Sequence, residues 1–301
     1  MYSRVLVTGG SGFVGQALKN EQPNWIYLSS KDCDLTSREA VATLLKQVQP
    51  DAIIHLAAKV GGIKENSTNQ SLFFYINNMI NFNVIHEAYR AGVRRVLSCL
   101  STCCFPDINP TYPLVEEDLL NGEPTQTNYC YGYAKRNLYI QSKWYSKEFS
   151  VCYNTFTPCN VYGPHNDFDT EKSHFVSSMI QKFYHAKDGD ILEFWGTGKP
   201  LRQHIYVKDL AEIIVKLLHQ HTTDIPLIVA PLENLSIKEI INICREVTQK
   251  KVDIRFSNQL DGQFRKDGSN KQLTSLIGDF EFTPLAEGLM KTYKWYGEEH
   301  A

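Results

Sequence analysis

The stretch VLVTGGSGFVG (5–15) decides the fold of this chain. Its first four residues predict a buried strand, and the residues after the glycines predict a helix. Gly9, Gly12 and Gly15 recur at intervals of three, which is typical of a turn that brings a dinucleotide pyrophosphate to a helix N-terminus. Glycines also punctuate ordinary loops, but the position between a strand and a helix favours a nucleotide-binding turn.

Strand-like and helix-like segments alternate through the first half of the sequence. Strands are predicted at 4–8, 25–29, 52–58, 95–100 and 151–157. Helices are predicted at 12–21, 37–49, 72–92 and 131–148. The alternation predicts an α/β fold with a doubly wound parallel sheet, the Rossmann architecture, covered by helices on both faces.

The pattern changes after Pro158. The predicted order is a loop at 160–172, a helix at 174–186, a glycine-rich turn and strand at 194–207, a helix at 209–221, a strand at 225–230 and a helix at 236–248. Ser236 and Glu239 are predicted to form a capping box at the start of the last helix. We predict two domains. Residues 1–160 plus about 200–222 form the nucleotide-binding domain, and about 161–199 plus 223–301 form a smaller C-terminal α/β substrate domain.

Composition narrows the class of protein. The 301 residues carry a formal net charge of −2, with 43% hydrophobic and 21% charged residues. The net charge of the whole chain therefore creates no electrostatic field that would attract nucleic acid or an anionic membrane. The N-terminus does not resemble a signal peptide, and no apolar run approaches the roughly 20 residues of a membrane span, so we expect a cytoplasmic enzyme.

Eight cysteines are scattered along the chain without a C-x-x-C pair. This spacing does not predict a metal site, and a disulfide framework is not expected in a reducing compartment. Most of these cysteines are predicted to be small buried hydrophobic residues.

The end of the second strand bears on the choice of dinucleotide. An NAD site usually places a carboxylate there to bind the ribose 2′-hydroxyl. Here the strand ends in Ser29, Ser30 and Lys31, and the first carboxylate is Asp32. Hydroxyls and an ammonium favour a 2′-phosphate, so we predict NADP(H). The alternative is that Lys31 is an ordinary surface charge.

Tyr131 and Lys135 lie four residues apart on a predicted helix and therefore share a face. An ammonium near a tyrosine, whose usual pKa is about 10, is expected to lower that pKa and make the phenol an acid–base group. Such pairs are common, as Tyr139 and Lys143 show. Tyr131 is distinguished by its place at the helix start, after a strand that ends at Ser101.

Together, GGSGFVG (9–15), AIIHLAA (52–58), LST (100–102) and YGYAK (131–135) resemble the extended short-chain dehydrogenase/reductase family. The resemblance implies that Ser101 and Tyr131 hydrogen-bond the reacting carbonyl and that Lys135 holds the nicotinamide ribose. The cofactor contacts that it implies are Gly9, Ser11, Gly12, Phe13, Val14, Gly15, Lys31, Leu56, Ala57, Ala58, Tyr131, Lys135 and Asn160.

Further motifs extend the resemblance over nearly the whole chain. They are HLAAKVGGI (55–63), CLSTCCFPD (99–107), PCNVYGPHNDF (158–168), SHF (173–175), WGTGKPLRQHIYVKDLA (195–211) and DGQFRK (261–266). They are similar to NADPH-dependent 3,5-epimerase/4-reductases of this family, which act on GDP-4-keto-6-deoxymannose and are typically homodimers. The resemblance implies that Cys103 and His174 are the epimerisation pair. It implies substrate contacts at Lys182, Trp195, Arg202 and Lys271.

The implied chemistry is physically reasonable. Protons at C3 and C5 flank the C4 ketone, so removal of either gives an enolate that hydrogen-bond donors stabilise. A perturbed thiol and a histidine both titrate near neutrality. If the stretch STCC (101–104) is extended, Ser101 and Cys103 share a face and Cys104 points into the core.

Alternatives stay open. The lysines and Arg202 could be solvated charges, and Trp195 could be a core residue. Gln203 and His204 replace an acidic residue and a phenylalanine of many family members, and Gln272 stands at a basic position of the family, with Lys271 one place earlier. The chain could instead be a C4 reductase, an enzyme for another GDP-4-keto-6-deoxy sugar, or a non-catalytic NADP-binding sensor.

Overall fold

A computed structural model describes residues 2–61, 68–168, 173–257 and 261–300. Its centre is a six-stranded sheet in which each strand is parallel to its neighbours. The strands are β1 (Val5–Thr8), β2 (Ile26–Leu28), β3 (Ala52–His55), β4 (Arg95–Cys99), β5 (Cys152–Pro158) and β10 (Pro226–Val229). Their order in the sheet is β2-β1-β3-β4-β5-β10. Strand β2 lies on one side of β1 and strand β3 on the other, so the strand order reverses between β1 and β3. The loops that follow β1 and β3 therefore meet at this switch point.

Helices cover this sheet. They are α1 (Phe13–Glu21), α2 (Arg38–Val48), α3 (Gln70–Arg90), α4 (Tyr129–Phe149) and α6 (Val207–Gln220). Helix α1 packs against α6, whereas α3 packs between α2 and α4. All residues of β1 and β3 are buried, as expected for strands that are covered on both faces. The predicted doubly wound fold is therefore confirmed.

Most of the remaining elements form a second hydrophobic cluster. The remaining elements include α5 (Phe175–His185), α7 (Ile237–Thr248), α8 (Lys271–Ile277), α9 (Leu285–His300) and the strand pairs β6 (Asn160–Tyr162) with β9 (His204–Tyr206), β7 (Ile191–Phe194) with β12 (Asp253–Phe256), and β8 (Leu201–Arg202) with β11 (Leu235–Ser236). Helix α8 instead packs against β10 and α6, and its Leu273 belongs to the core of the sheet. The cluster is centred on buried side chains of α5, α7 and α9, such as Phe183, Ile241 and Leu289.

Two local predictions can be compared directly with this structure. The capping box at Ser236 is confirmed, since its hydroxyl accepts from the Glu239 amide and the Glu239 carboxylate accepts from the Ser236 amide. The loop predicted at 160–172 is wrong at its start, because 160–162 pair with β9 as a strand. Residues 169–172 of that loop lie outside the described residues, as do residues 62 and 63 of the HLAAKVGGI motif.

The predicted division into two domains stays a prediction. Strand β10, which that division assigns to the second domain, is an edge strand of the six-stranded sheet. Among the described residues, none of the helices is both long enough and apolar enough to cross a bilayer.

Candidate active site

The glycine turn after β1 is fixed by close backbone contacts. Gly9 has a φ of +71°, and a Cβ placed there would lie 2.8 Å from the Ala57 nitrogen. A Cβ on Gly15 would lie 2.5 Å from the Gly9 oxygen. Gly12 is the N-cap of α1 and is exposed. The first amides of α1, at Phe13 and beyond, have no intrahelical acceptor, so this turn offers backbone donors to an anion.

Gly10 belongs to this turn but is missing from the predicted contacts. Its amide donates to the Leu28 oxygen at 2.7 Å, and a Cβ placed on it would lie 2.7 Å from the Tyr27 Cβ. Gly10 therefore joins the turn to the end of β2. The predicted contact Ser11 is exposed, and Val14 is half-buried.

The loop after β3 lies against the same turn. The Leu56 amide donates to the Thr8 oxygen at 3.2 Å, and the Ala57 amide donates to the Thr8 hydroxyl at 3.4 Å. Ala58 follows in the same half-buried loop. The structure therefore brings the predicted contacts at 9–15 and at 56–58 together.

The segment after β2 presents Lys31 to solvent. The Asp32 carboxylate is occupied locally, because it accepts from the Ser29 amide and hydroxyl at 2.7 Å each. These bonds lower the pKa of Asp32. The carboxylate that follows β2 is thus engaged in a turn, and the exposed cation beside it fits a ribose phosphate.

A chain of buried hydrogen bonds connects β1 to α4. The Thr8 hydroxyl lies 2.7 Å from His55 Nδ1, and His55 Nε2 lies 3.1 Å from the Asn81 amide oxygen. The Asn81 amide nitrogen in turn donates to the Ala134 oxygen at 3.2 Å. Burial and the charge of Lys135 lower the pKa of His55 to about 3, so the ring is neutral.

Tyr131 and Lys135 lie in the first turns of α4. The Lys135 ammonium donates to the Cys99 oxygen at 2.7 Å and lies 5.8 Å from the centre of the Tyr131 ring. Burial lowers the pKa of Lys135. Burial, together with the neighbouring thiols of Cys103, Cys99 and Cys104, raises the pKa of Tyr131 well above its ordinary value. The expectation that Lys135 lowers that pKa is wrong, and Tyr131 is a protonated phenol at neutral pH.

Ser101 has an extended backbone, but Thr102–Cys104 form a 3₁₀ turn. The condition that residues 101–104 are extended, on which the shared face of Ser101 and Cys103 depended, is therefore not met. The Ser101 hydroxyl accepts from the Cys103 amide at 3.2 Å, and the Ser101 oxygen accepts from the Cys104 amide at 3.0 Å. Cys103 is partly exposed, whereas Cys104 is fully buried.

The two adjacent thiols have opposite electrostatic environments. Burial raises the pKa of Cys104 to about 12, and its thiol donates to the Ser101 oxygen at 2.7 Å. Burial by itself raises the pKa of Cys103 too, but the charge of Lys266, the Ser101 hydroxyl and Arg202 together lower it below its usual value. The Lys266 ammonium lies 3.2 Å from the Cys103 sulfur.

Lys266 is the charged residue that the sequence reasoning did not assign. Its only signal was its place in the DGQFRK stretch. It also acts on His174, the N-cap of α5. Surrounding atoms and the charge of Lys266 lower the pKa of His174, and Asp167 opposes this. His174 keeps an exposed edge, so it is a neutral imidazole in contact with solvent.

Arg202 is near the same thiol. Burial lowers the pKa of its guanidinium, while Cys103 and Asp261 oppose this. Its Nη1 donates to its neighbour's carbonyl, the Leu201 oxygen, at 2.7 Å. Asn160 lies alongside, where its amide donates to the Gln203 oxygen at 2.8 Å.

The other predicted substrate contacts lie farther out. Trp195 is 70% exposed, so the alternative that it is a core residue is wrong. Lys182 is exposed; it donates to the Glu193 oxygen and lies 4.9 Å from the Phe194 ring centre. Lys271 lies at the start of α8 in a cleft of about 750 Å³ that His204 also lines. The structure gives no contact between Lys271 and Cys103 or the residues around its thiol.

The chain was compared with known proteins. A model of the NAD dependent epimerase/dehydratase family matches residues 5–244. A GDP-L-fucose synthase of Dictyostelium discoideum is 37% identical over 97% of this chain and 94% of its own. A probable GDP-L-fucose synthase of Drosophila melanogaster is 35% identical over 99% of this chain and 98% of its own. A structure of a GDP-L-fucose synthetase from Naegleria fowleri bound to NADP gives a TM-score of 0.92 at 31% identity, covering 99% of this chain and 93% of that chain.

The neutral state of His55 predicts acid sensitivity. Its pKa is about 3 in the folded protein, against about 6.5 when unfolded. Below pH 6.5 the unfolded state binds the proton more readily, so stability is lost as pH falls. This histidine alone should lower the free energy of unfolding by about 2 kcal/mol between pH 7 and pH 5. Urea unfolding of wild type and His55→Asn at both pH values measures this.

The variant starts less stable because it weakens the bonds to Thr8 and Asn81, but it should lose about 2 kcal/mol less on acidification. An equal acid loss in both proteins would contradict the neutral, buried assignment of His55.

Proposed function

The chain belongs to the NAD dependent epimerase/dehydratase family, and we propose that it converts GDP-4-keto-6-deoxy-D-mannose to GDP-L-fucose by 3,5-epimerisation and NADPH-dependent 4-reduction. The observation that carries the proposal is the Cys103 thiol, which lies beside Ser101 and against a lysine ammonium. Reduction of a ketone needs no ionised thiol, whereas removal of a proton next to a ketone needs a base. Relatives named as GDP-L-fucose synthases match nearly the whole chain and support this reaction.

The cofactor is NADP(H), as in the similar structure bound to NADP. The residues fit it: Gly9 and Gly15 leave no room for a Cβ, so the turn stays open for a pyrophosphate at the α1 N-terminus. Exposed Lys31 suits the 2′-phosphate. Lys135, buried beneath Tyr131, would hold the nicotinamide ribose. When bound, the reduced cofactor supplies the hydride for C4.

Ser101 and Tyr131 would bind the C4 oxygen of the substrate. As an enolate forms, negative charge develops on that oxygen, and two preorganised hydroxyl donors stabilise it. The raised pKa keeps Tyr131 protonated. The same phenol can therefore donate its proton to the C4 oxygen when the ketone is reduced, which makes Tyr131 the acid of the second half-reaction.

Cys103 and His174 would invert C3 and C5. The Cys103 thiolate takes the proton, so that the carbon–hydrogen bond breaks, a sulfur–hydrogen bond forms and the electron pair moves to the C4 oxygen. Inversion then requires a proton from the opposite face. His174 has an exposed edge, so it can take a proton from solvent and deliver it to the carbanion carbon.

The nucleotide half would bind on the side of Arg202 and Trp195. Arg202 interacts electrostatically with the Cys103 thiol, and a guanidinium suits a diphosphate. Exposed Trp195 offers a flat face for stacking on guanine. Lys182 and Lys271 are proposed as further, outer contacts.

Solvent deuterium tests the reaction. The protein is incubated with GDP-4-keto-6-deoxymannose and NADPH in D₂O, and the product is examined by NMR. Deuterium at C3 and C5 with consumption of NADPH is expected, because both positions are reprotonated from groups in exchange with solvent. Reduction without deuterium would leave only a C4 reductase, and no turnover of any keto sugar would favour a non-catalytic NADP-binding sensor.

Replacement of the two cysteines separates their roles. Cys103→Ser should reduce deuterium incorporation at least about 100-fold, because a serine is not ionised at neutral pH. Cys104→Ser should stay within about threefold of wild type, because a hydroxyl can replace the buried thiol as donor to the Ser101 oxygen. Equal losses in both variants would disprove the assignment of Cys103.

We also propose that the chain forms a homodimer through α3 and α4, which pack side by side. Both helices carry large exposed apolar side chains, and a contiguous apolar surface favours burial against a second copy. On α3 these are Leu72, Phe74, Tyr75 and Phe82; on α4 they are Ile140, Trp144 and Phe149.

Size-exclusion chromatography with light scattering tests the dimer. The wild type should elute with twice the mass of one chain, and Phe82→Glu combined with Trp144→Glu should elute as a single chain. Leu232→Glu, on an exposed side chain elsewhere, is the control and should leave the mass unchanged. A dimer that survives the double replacement would place the interface on another surface.

A further inference from the structure

The contact between Lys266 and Cys103 joins two segments that are 163 residues apart in sequence. Lys266 lies on residues 261–269, which we call the strap. The strap runs between the loop that follows Cys103 and the strand that carries Arg202. The hydrogen bonds that the strap makes to its neighbours determine whether the Lys266 ammonium is fixed next to the Cys103 thiol.

On the Cys103 side, one side-chain amide and two pairs of backbone groups hold the strap. The side-chain amide of Gln263 donates to the Asp107 backbone oxygen at 2.9 Å. The Leu114 amide donates to the Asp267 oxygen, and the Ser269 amide donates to the Leu114 oxygen, both at 2.8 Å. Lys266 is therefore flanked on both sides by bonds to the segment that follows Cys103.

On the Arg202 side, a buried glutamine holds the strap. The Gln203 amide group donates to the Gly268 oxygen at 3.1 Å and accepts from the Gly268 amide at 2.8 Å. It also donates to the Pro231 oxygen at 2.8 Å. A carboxylate at this position could accept from Gly268 but could not donate to either carbonyl. The Leu201 amide adds a bond to the Phe264 oxygen at 2.9 Å.

The charges next to Lys266 leave its ammonium directed at the sulfur. The preceding Arg265 makes two bonds, of 2.6 and 2.9 Å, to the carboxylate of Asp267. The Asp267 carboxylate is thus already paired with Arg265 and does not compete with Cys103 for the Lys266 ammonium. The other groups that act electrostatically on Cys103 are Arg202, Tyr131 and Cys104.

We propose that Lys266, fixed by the strap, is the positioning residue that keeps Cys103 as a thiolate in the free enzyme. The proposal rests on the proposed function, because it names the group that prepares the base for epimerisation. The sulfur lies 3.2 Å from a cation, a distance at which an ammonium stabilises the anion over the neutral thiol.

The same cation prepares the second group of the pair. It favours the anionic form of Cys103 and the neutral form of His174, and the pKa of each is lowered accordingly. At His174 burial is the larger cause, and the charge of Lys266 adds to it. The thiolate can then take a proton from the sugar.

Alkylation of the free protein tests the inference. Cys103 is treated with iodoacetamide between pH 5 and pH 10, and its modification is followed by peptide fragmentation in the mass spectrometer. Lys266→Met should move the midpoint upward by about one pH unit or more, so that alkylation at pH 7 slows about tenfold. Lys266→Arg keeps a cation and should retain most of the wild-type midpoint. Binding of NADPH checks that each variant is folded.

Lys199→Met is the matched control, since it removes an exposed cation from the neighbouring turn and should leave the midpoint in place. An unchanged midpoint in Lys266→Met would overturn the inference. An equal displacement in Lys199→Met would overturn it as well. Lys266→Gln, of similar reach, replaces the Met variant if that variant fails to bind NADPH. Alkylation needs no substrate, so this result is independent of whether the proposed reaction occurs.

Discussion

The candidate site depends on the buried hydrogen-bond chain that runs from Thr8 through His55 and Asn81 to the backbone of α4. Its two ends are the strand that leads into the glycine turn and the helix turn that carries Lys135. A neutral imidazole can donate through one nitrogen and accept through the other, which is what the chain requires. A charged imidazole would require the Thr8 hydroxyl, which already accepts from the Ala57 amide, to accept a second bond and would leave its own proton without this partner. The relative placement of cofactor turn and catalytic helix therefore rests on the neutrality of one buried histidine.

Competition between burial and nearby cations determines the protonation state of each reacting group. Burial dominates at Tyr131 and Cys104, and both stay protonated. At Cys103, three favourable neighbours outweigh burial. The site thus contains a protonated phenol and an ionisable thiol close together, which are the groups that we propose as the acid for the reduction and the base for the epimerisation. The two protonation states support each other, since an ionised Cys103 thiol next to Tyr131 disfavours the Tyr131 phenolate.

The parts of the site that the sequence predicts are the local ones. The glycine turn and the helical spacing of Tyr131 and Lys135 depend on short-range geometry, so their patterns are visible in a few residues. Five strands of the central sheet follow from the same alternation of elements, whereas the predicted division assigns the sixth, β10, to the second domain. Lys266 and Gln203 could not be found in this way, because their roles depend on which distant segments the fold brings together. Nor does spacing alone give the direction of a pKa: Lys135 shares a face with Tyr131, yet burial decides the outcome.

Cys103 and Cys104 have different environments, as the sequence predicts, but the backbone conformation that separates them is not an extended one. An extended segment would separate them by pointing alternate side chains to opposite faces. In the 3₁₀ turn, the position three residues after Ser101 stacks on it, and Cys104 accordingly bonds the Ser101 oxygen from inside the core. Cys103 is left on the open side of that turn, where Lys266 reaches its sulfur. The turn thus gives one thiol a structural bond and leaves the other to the strap, so the chemistry proposed for Cys103 depends on a segment that the local sequence does not contain.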